Sequence, residues 1–197
     1  MISLKNKYIY IHIPKCGGTS IEARLADETC IFKSGTWPHN FKFNNPLNHC
    51  TVVQIKESKV LHPNFDDYYL FTFTRNPFCR LVSEYFYLKD RLKLSNDVKK
   101  GLIYMANTYS ENGIYGLHCM YQYKFIDDSV NRVGKFENLQ TDFDIICDEI
   151  GLPRQQLPHE NKTNHKHYTE YYDDETRQIV AERYAKDIER FGYKFRE

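Results

Sequence analysis

The sequence predicts an α/β protein: a P-loop-like three-layer sandwich with a central, mostly parallel sheet flanked by helices. Three observations predict it. Short β-branched and aromatic runs at residues 9–13, 68–74 and 131–136 alternate with longer stretches of helical periodicity, the pattern of strands joined by helical crossovers. The run YYLFTFT from Tyr68 to Thr74 is apolar on both faces, as a central parallel strand covered from two sides should be. The first two runs pass straight into a turn and a helix start, which sets polar residues at strand tips, where open α/β sheets bind ligands.

The first stretch, IYIHIPKCGGTSIE from Ile9 to Glu22, reads as strand, anion loop and helix. Ile9, Ile11 and Ile13 alternate with Tyr10 and His12, and Pro14 ends the ladder. Gly17 and Gly18 admit backbone conformations closed to other residues, so main-chain N–H groups can crowd round an oxyanion at the positive end of the following helix. Lys15 adds a full positive charge. Such a loop suits a phosphate or sulfate ester, yet it is not the Walker A pattern, in which the lysine stands directly before the hydroxyl residue; here it precedes the glycines. A structural reading stands beside the functional one: Thr19 and Glu22 have the T-x-x-E spacing of a capping box, and Gly-Gly is an ordinary breaker.

A helix follows over residues 19–26 with Ile21 and Leu25 on one face, then a long loop over 33–48 rich in breakers, of the kind that is functional or mobile. His49-Cys50-Thr51 opens a short helical pattern through Gln54 and Ile55, and His62-Pro63-Asn64 breaks it. The strand at 68–74 runs into Arg75-Asn76-Pro77, an N-cap and a first helical residue, which puts Arg75 at a strand tip. Phe78, Leu81, Val82, Tyr85 and Leu88 mark one face of that helix and Arg80, Ser83, Glu84 and Tyr87 the other, so Ser83 is expected to face away from the core. Residues 96–108 are expected to be helical, while 109–122 is rich in Gly and Tyr and has no readable pattern.

Asn138 is expected to cap a helix carrying Leu139, Phe143, Ile146 and Ile150, stopped by Gly151 and Pro153. Residues 157–172 form a polar loop whose Lys162, His165, Lys166 and His167 either close over an anionic ligand or are simply solvated. One last helix from Asp174 points Ile179, Val180, Tyr184, Ile188 and Phe191 inward and ends before Gly192.

The 197 residues fit one domain, with a net charge of +1 spread over interspersed signs. That balance argues against nucleic acid or an anionic membrane as partner, so any anion site must be local. No apolar run approaches the length of a membrane span, and there is no apolar leader; the expected location is cytoplasmic. Six cysteines without a C-x-x-C pair or metal spacing read as reduced, mostly buried thiols; Cys16 is a candidate nucleophile, but as no base stands beside it in sequence a spacer role is favoured. Sixteen Tyr and thirteen Phe suit either sugar stacking or an aromatic core. No acidic Mg²⁺ motif and no zinc spacing is present, so no metal is expected.

Two of these stretches match a known family in the right order. IPKCGGTS at 13–20 resembles the 5′-phosphosulfate loop of sulfotransferases that use 3′-phosphoadenosine 5′-phosphosulfate (PAPS), and FTRNPFCRLVSEYF at 73–86 resembles their 3′-phosphate signature. VGKFENLQTDFDIICDEIGL at 133–152 and the C-terminal HYTEYYDDETRQIVAERYAKDIERFGYKF are also similar to that group, in particular to Golgi-type carbohydrate sulfotransferases of the heparan sulfate 2-O-sulfotransferase kind and their bacterial relatives. The resemblance implies a single sulfotransferase domain over 1–197 that moves a sulfuryl group from PAPS to a hydroxyl of a carbohydrate or other acceptor and leaves PAP as the spent nucleotide.

By the same resemblance, Lys15, Cys16, Gly17, Gly18, Thr19 and Ser20 would bind the 5′-phosphosulfate, and Arg75 and Ser83 the 3′-phosphate. Lys15 would also be catalytic, and His49 would be the base. A guanidinium grips phosphate with a permanently charged fork, and a neutral imidazole can take a hydroxyl proton near neutral pH. Glu22 is the alternative base. A P-loop kinase or nucleotide hydrolase, and a non-catalytic nucleotide- or glycan-binding module on the same fold, are the rival readings. The acceptor and the oligomeric state are not encoded in any motif read here.

Overall fold

The computed structural model describes residues 1–27, 29–31, 49–61, 63–108, 116–158 and 165–196. The loop expected at 33–48, the first part of the unreadable 109–122 stretch, and Lys162 lie outside the described residues.

Among the described residues, five strands form one sheet in the order β3-β1-β2-β4-β5. The three longer ones, β2 (Tyr8–Ile11), β4 (Tyr69–Thr74) and β5 (Arg132–Lys135), run parallel, with Ile9 opposite Leu70 and Phe73 opposite Gly134. The two-residue strands β1 (Ile2–Ser3) and β3 (Cys30–Ile31) extend one side antiparallel. This is the mostly parallel sheet flanked by helices that the sequence predicts. All of β2, and β4 from Leu70 on, are buried, because parallel strands joined by helical crossovers are covered on both faces. The first ladder ends at Ile11, short of the expected Ile13, and Thr72 Oγ1 donates to the Ile11 carbonyl at 2.7 Å where the chain turns away.

The helices are α1 (Gly18–Leu25), α2 (Val52–Glu57), α3 (Pro77–Leu88), α4 (Val98–Thr108), α5 (Gly116–Cys119), α6 (Leu139–Glu149), α7 (Asp174–Arg183) and α8 (Ala185–Phe191). Ile21 and Leu25 of α1, Val52 and Ile55 of α2, and Phe143 and Ile146 of α6 join the sheet in one apolar cluster. Phe78, Leu81, Val82 and Tyr85 of α3 meet Leu102 and Met105 of α4 and Val180 of α7 in a second. Asn76 caps α3 as predicted, its side chain accepting from Phe78 N at 3.2 Å with Pro77 as the first helical residue. Thr51 and Gln54 form a reciprocal capping box on α2.

Four expectations are corrected. Thr19 and Glu22 are not a capping box: α1 begins at Gly18, Gly17 takes the cap position without a side-chain bond, and the Glu22 carboxylate is bound to His12 instead. The Asn138 side chain makes no cap bond to α6. The last helix is two helices, broken at Tyr184; the break lets its hydroxyl donate to the Cys119 carbonyl at 2.9 Å and lets Asp187 accept from the N–H groups of Gln122 and Tyr123. Finally, the polar face of α3 is outward only at Tyr87: Arg80, Ser83 and Glu84 are all buried, because the anion loop and α5 cover that part of the face while α4 and α7 cover the other.

Candidate functional site

The loop after β2 has the backbone an anion site needs. Lys15 and Gly17 both take left-handed conformations, with φ 66 and 83, so the chain alternates hand just before α1, whose Gly18 and Thr19 N–H groups come ahead of its first bond, from Ser20 N to the Gly17 carbonyl at 3.1 Å. A lysine in that region is strained by roughly 1–2 kcal/mol, which persists only where the surroundings over-determine it. Gly18 is needed for space: a Cβ there would stand 1.9 Å from Nε2 of His12. Ser20 is buried and Thr19 exposed. Lys15 is half-buried, with its ammonium 4.2 Å from the centre of the Tyr87 ring; burial, with Arg75 as a further cation nearby, lowers its pKa. The Cys16 thiol is buried, its pKa pushed up to about 12 by desolvation, and it points at Pro14 O and Gln122 Oε1, which fits a spacer and not a nucleophile.

Arg75 stands at the tip of β4 beside that loop. Its Nη1 donates to the Lys15 carbonyl at 3.0 Å, its Nη2 to Cys79 Sγ at 3.1 Å, and its guanidinium lies 4.0 Å over the Phe136 ring. Those bonds leave N–H groups over, and Nε is buried without a partner. A buried orphan donor on a permanent cation is what an incoming oxyanion would satisfy. Gln122 locks the tip: Oε1 accepts from Arg75 N at 2.8 Å, Nε2 donates to Arg75 O at 2.9 Å, and its own N–H is held by Asp187, whose pKa burial raises.

Arg80, expected on the outer face, is a buried clamp instead. Its three nitrogens donate to the carbonyls of Pro14, Met120 and His118 at 3.0, 2.9 and 2.9 Å, tying the anion loop to α5. On the same stripe of α3, by helical spacing, lie Ser83, Glu84 and Tyr87, so Ser83 is turned toward the loop rather than to solvent.

Behind the loop, three imidazoles meet. His12 Nδ1 pairs with Glu22 Oε1 at 2.8 Å, and the His12 ring lies edge-on to His49 at 4.6 Å. His49 Nδ1 bonds the His12 carbonyl at 3.0 Å, and as a carbonyl can only accept, Nδ1 carries the proton. Burial first, then charge on His12, lowers the His49 pKa to about 2. That keeps the ring neutral but leaves it a weak base. His118 lies edge-on to His49 at 5.3 Å and bonds both oxygens of Glu84. Among the described residues, no group of three or more His, Cys, Asp or Glu is arranged to hold a metal ion.

The structure thus brings Lys15, Gly17, Gly18, Arg75 and His49 to one region, places Ser83 as a buried residue on the Arg80 stripe of α3, and gives Glu22 a partner, His12. In the polar loop, His165 stacks on Phe86 at 5.0 Å and Lys166 faces Glu170 at 3.4 Å. Sequence reasoning missed His12, Glu84, His118, Gln122 and Asp187 as parts of the site. His12 left one trace, an ionisable residue inside a run of core-forming types; the others meet across separations such as the 34 residues between Glu84 and His118, for which a single sequence carries no signal.

Comparison with known proteins gives two findings. Residues 1–194 match the family model described as "Sulfotransferase family". The chain is also similar to an uncharacterized protein of Archaeoglobus fulgidus, 33% identical over 96 residues, covering 46% of this chain and 74% of that one. No solved structure matches.

Proposed function

The chain belongs to the sulfotransferase family, and on that premise we propose that residues 1–197 form one domain, a PAPS-dependent O-sulfotransferase acting on a hydroxyl of a carbohydrate. The family implies a sulfate donor and an acceptor; PAPS and the sugar are our reading, supported by the resemblance of both anion stretches to the Golgi-type carbohydrate group. The observation that carries it is the 3.0 Å bond from Arg75 to the Lys15 carbonyl, which makes one cradle of two stretches each suited to an anion.

In this reading the loop from Lys15 to Ser20 holds the 5′-phosphosulfate and Arg75 with Ser83 the 3′-phosphate, the orphan Nε–H of Arg75 being one donor for it. The transition state resembles loose phosphoryl transfer, so positioning and charge stabilisation dominate. Lys15 neutralises charge building on the bridging oxygen of the leaving phosphate, and the loop N–H groups hold the non-bridging oxygens. The acceptor's proton goes to the imidazole cluster of which His49 is the central member. No helix among the described residues is long and apolar enough to cross a membrane.

The test is transfer of labelled sulfate from PAPS to a panel of glycans, with calorimetry of PAP and AMP in the absence of Mg²⁺. The expected result is metal-independent preference for PAP over AMP and transfer to at least one glycan, lowered about 100-fold or more by Lys15→Ala. Equal affinity for PAP and AMP would end the proposal.

A further inference from the structure

His118 lies in the stretch without a readable pattern, yet the fold carries it to the middle of the site. Its Nδ1 is 3.0 and 3.1 Å from the two oxygens of Glu84. A carboxylate only accepts, so Nδ1 carries the proton and Nε2 is the nitrogen left for another partner. The Glu84 side chain is 1% exposed. A charge so far from water is kept only with a partner, and here that partner is an imidazole, the arrangement in which a buried acid orients a base.

Three further contacts hold the residue. Tyr87 stacks on it at 5.7 Å with planes 2° apart, His49 meets it edge-on at 5.3 Å, and Arg80 Nη2 holds its backbone carbonyl at 2.9 Å. The same Tyr87 ring carries the Lys15 ammonium at 4.2 Å. The cation at the anion loop and the carboxylate-backed imidazole therefore rest on one aromatic side chain.

Resting on the sulfotransferase reading above, we infer that His118, oriented by Glu84, is the catalytic base, and that His49 is the neutral neighbour that steadies it. The acceptor oxygen forms its bond to sulfur as the bond from sulfur to the bridging phosphate oxygen breaks. The electron pair of that bond leaves with the nucleotide, and the acceptor's proton passes to Nε2 of His118, whose positive charge Glu84 balances. His49 is the weaker choice: its Nδ1 partner is a backbone carbonyl, and burial has lowered its pKa to about 2, far from the working pH that suits a base. Among the described residues, the charged and titratable groups facing His118 are Glu84 and Tyr87 of α3, Arg80 at its carbonyl, His49 beside it, and Lys15 and Arg91 across the Tyr87 ring.

The experiment measures kcat against pH with labelled PAPS and the best acceptor of the glycan panel, for the parent, His118→Asn, Glu84→Gln and His49→Asn, with PAP affinity and melting as folding controls. His118→Asn is expected to lower kcat about 100-fold or more while PAP affinity stays within about threefold. Glu84→Gln removes the charge that favours the protonated ring, so the acid limb of the profile should move to lower pH. His49→Asn should leave that limb in place. If His118→Asn does not fold, Glu84→Gln decides. An unmoved acid limb in Glu84→Gln, or a His118→Asn that keeps parental kcat, overturns the inference while the sulfotransferase reading survives. A parent that transfers no sulfate to any glycan overturns both.

Discussion

Arg75 donates from Nη1 to the main-chain carbonyl of Lys15 at 3.0 Å, across 60 residues of sequence. The bond ties the tip of β4 to the turn after β2, its parallel neighbour, so the two charged stretches form one unit whose spacing is set by the sheet. Gln122 stiffens that unit by pairing with both backbone polar groups of Arg75.

Replacing Gln122 by Leu should therefore damage recognition more than bulk packing. The N–H and carbonyl of Arg75 would be left without their amide, costing roughly 2–4 kcal/mol in denaturant unfolding. On the proposed reading, the preference for PAP over AMP should fall together with it, since Arg75 loses its fixed direction. Calorimetry with both nucleotides checks this; an unchanged preference would mean that Gln122 serves only the fold.

Gly18→Ala should collapse the site from inside. Its Cβ would meet the His12 ring at 1.9 Å, and that ring is held by Glu22 at 2.8 Å and stacked on Tyr10 at 5.6 Å, so it has little room to move. Overpacking of this kind typically costs about 1–3 kcal/mol. A lowered melting midpoint with weakened PAP binding is the expected outcome.

Arg80→Met should be among the most destabilising single changes on α3. Three carbonyls, of Pro14, Met120 and His118, lose a charged donor at once. Hydrogen bonds to charged groups contribute about 1.5–3 kcal/mol each and are not additive, so a loss of roughly 3–5 kcal/mol is expected. Arg80→Lys should recover only part of it, because one ammonium cannot span three separated acceptors. Denaturant melts of both variants measure the difference.

Acid should weaken the protein through His49. Its pKa is about 2 when folded, against an ordinary 6.5, so between those values the unfolded chain binds more protons than the folded one. Stability from this group is thus present above about pH 6.5 and drains away as pH falls, by about 2 kcal/mol between pH 7 and pH 5. Urea melts over that range should show a shallower slope for His49→Asn than for the parent; equal slopes would mean that the buried ring is not the group responsible.

How much of this was legible depended on distance along the chain. The strand, turn and helix start at residues 9–22 and again at 68–88 declare themselves, because periodicity, Asn76-Pro77 and the Gly pair act between near neighbours. The wrong expectations share one origin. Thr19 and Glu22 have capping spacing, but a buried His12 claimed the carboxylate. Arg80, Ser83 and Glu84 have the polarity of an outer face, but the helix is covered on both sides and its polar stripe became the wall of the site. Tyr184 continues a helical pattern, but the bonds made by its hydroxyl and by Asp187 bend the chain there.

By itself the sequence determined the fold class and the family to which both anion stretches point, and it singled out the residues proposed to hold the sulfate donor. Those are properties of local pattern, and a few residues carry each. Only the tertiary structure decided which carboxylate stands behind which imidazole, Glu22 with His12 and Glu84 with His118. Such pairs form where separate crossovers bring buried charges together, and the need to neutralise a charge out of water selects the partner by position in space, not in sequence.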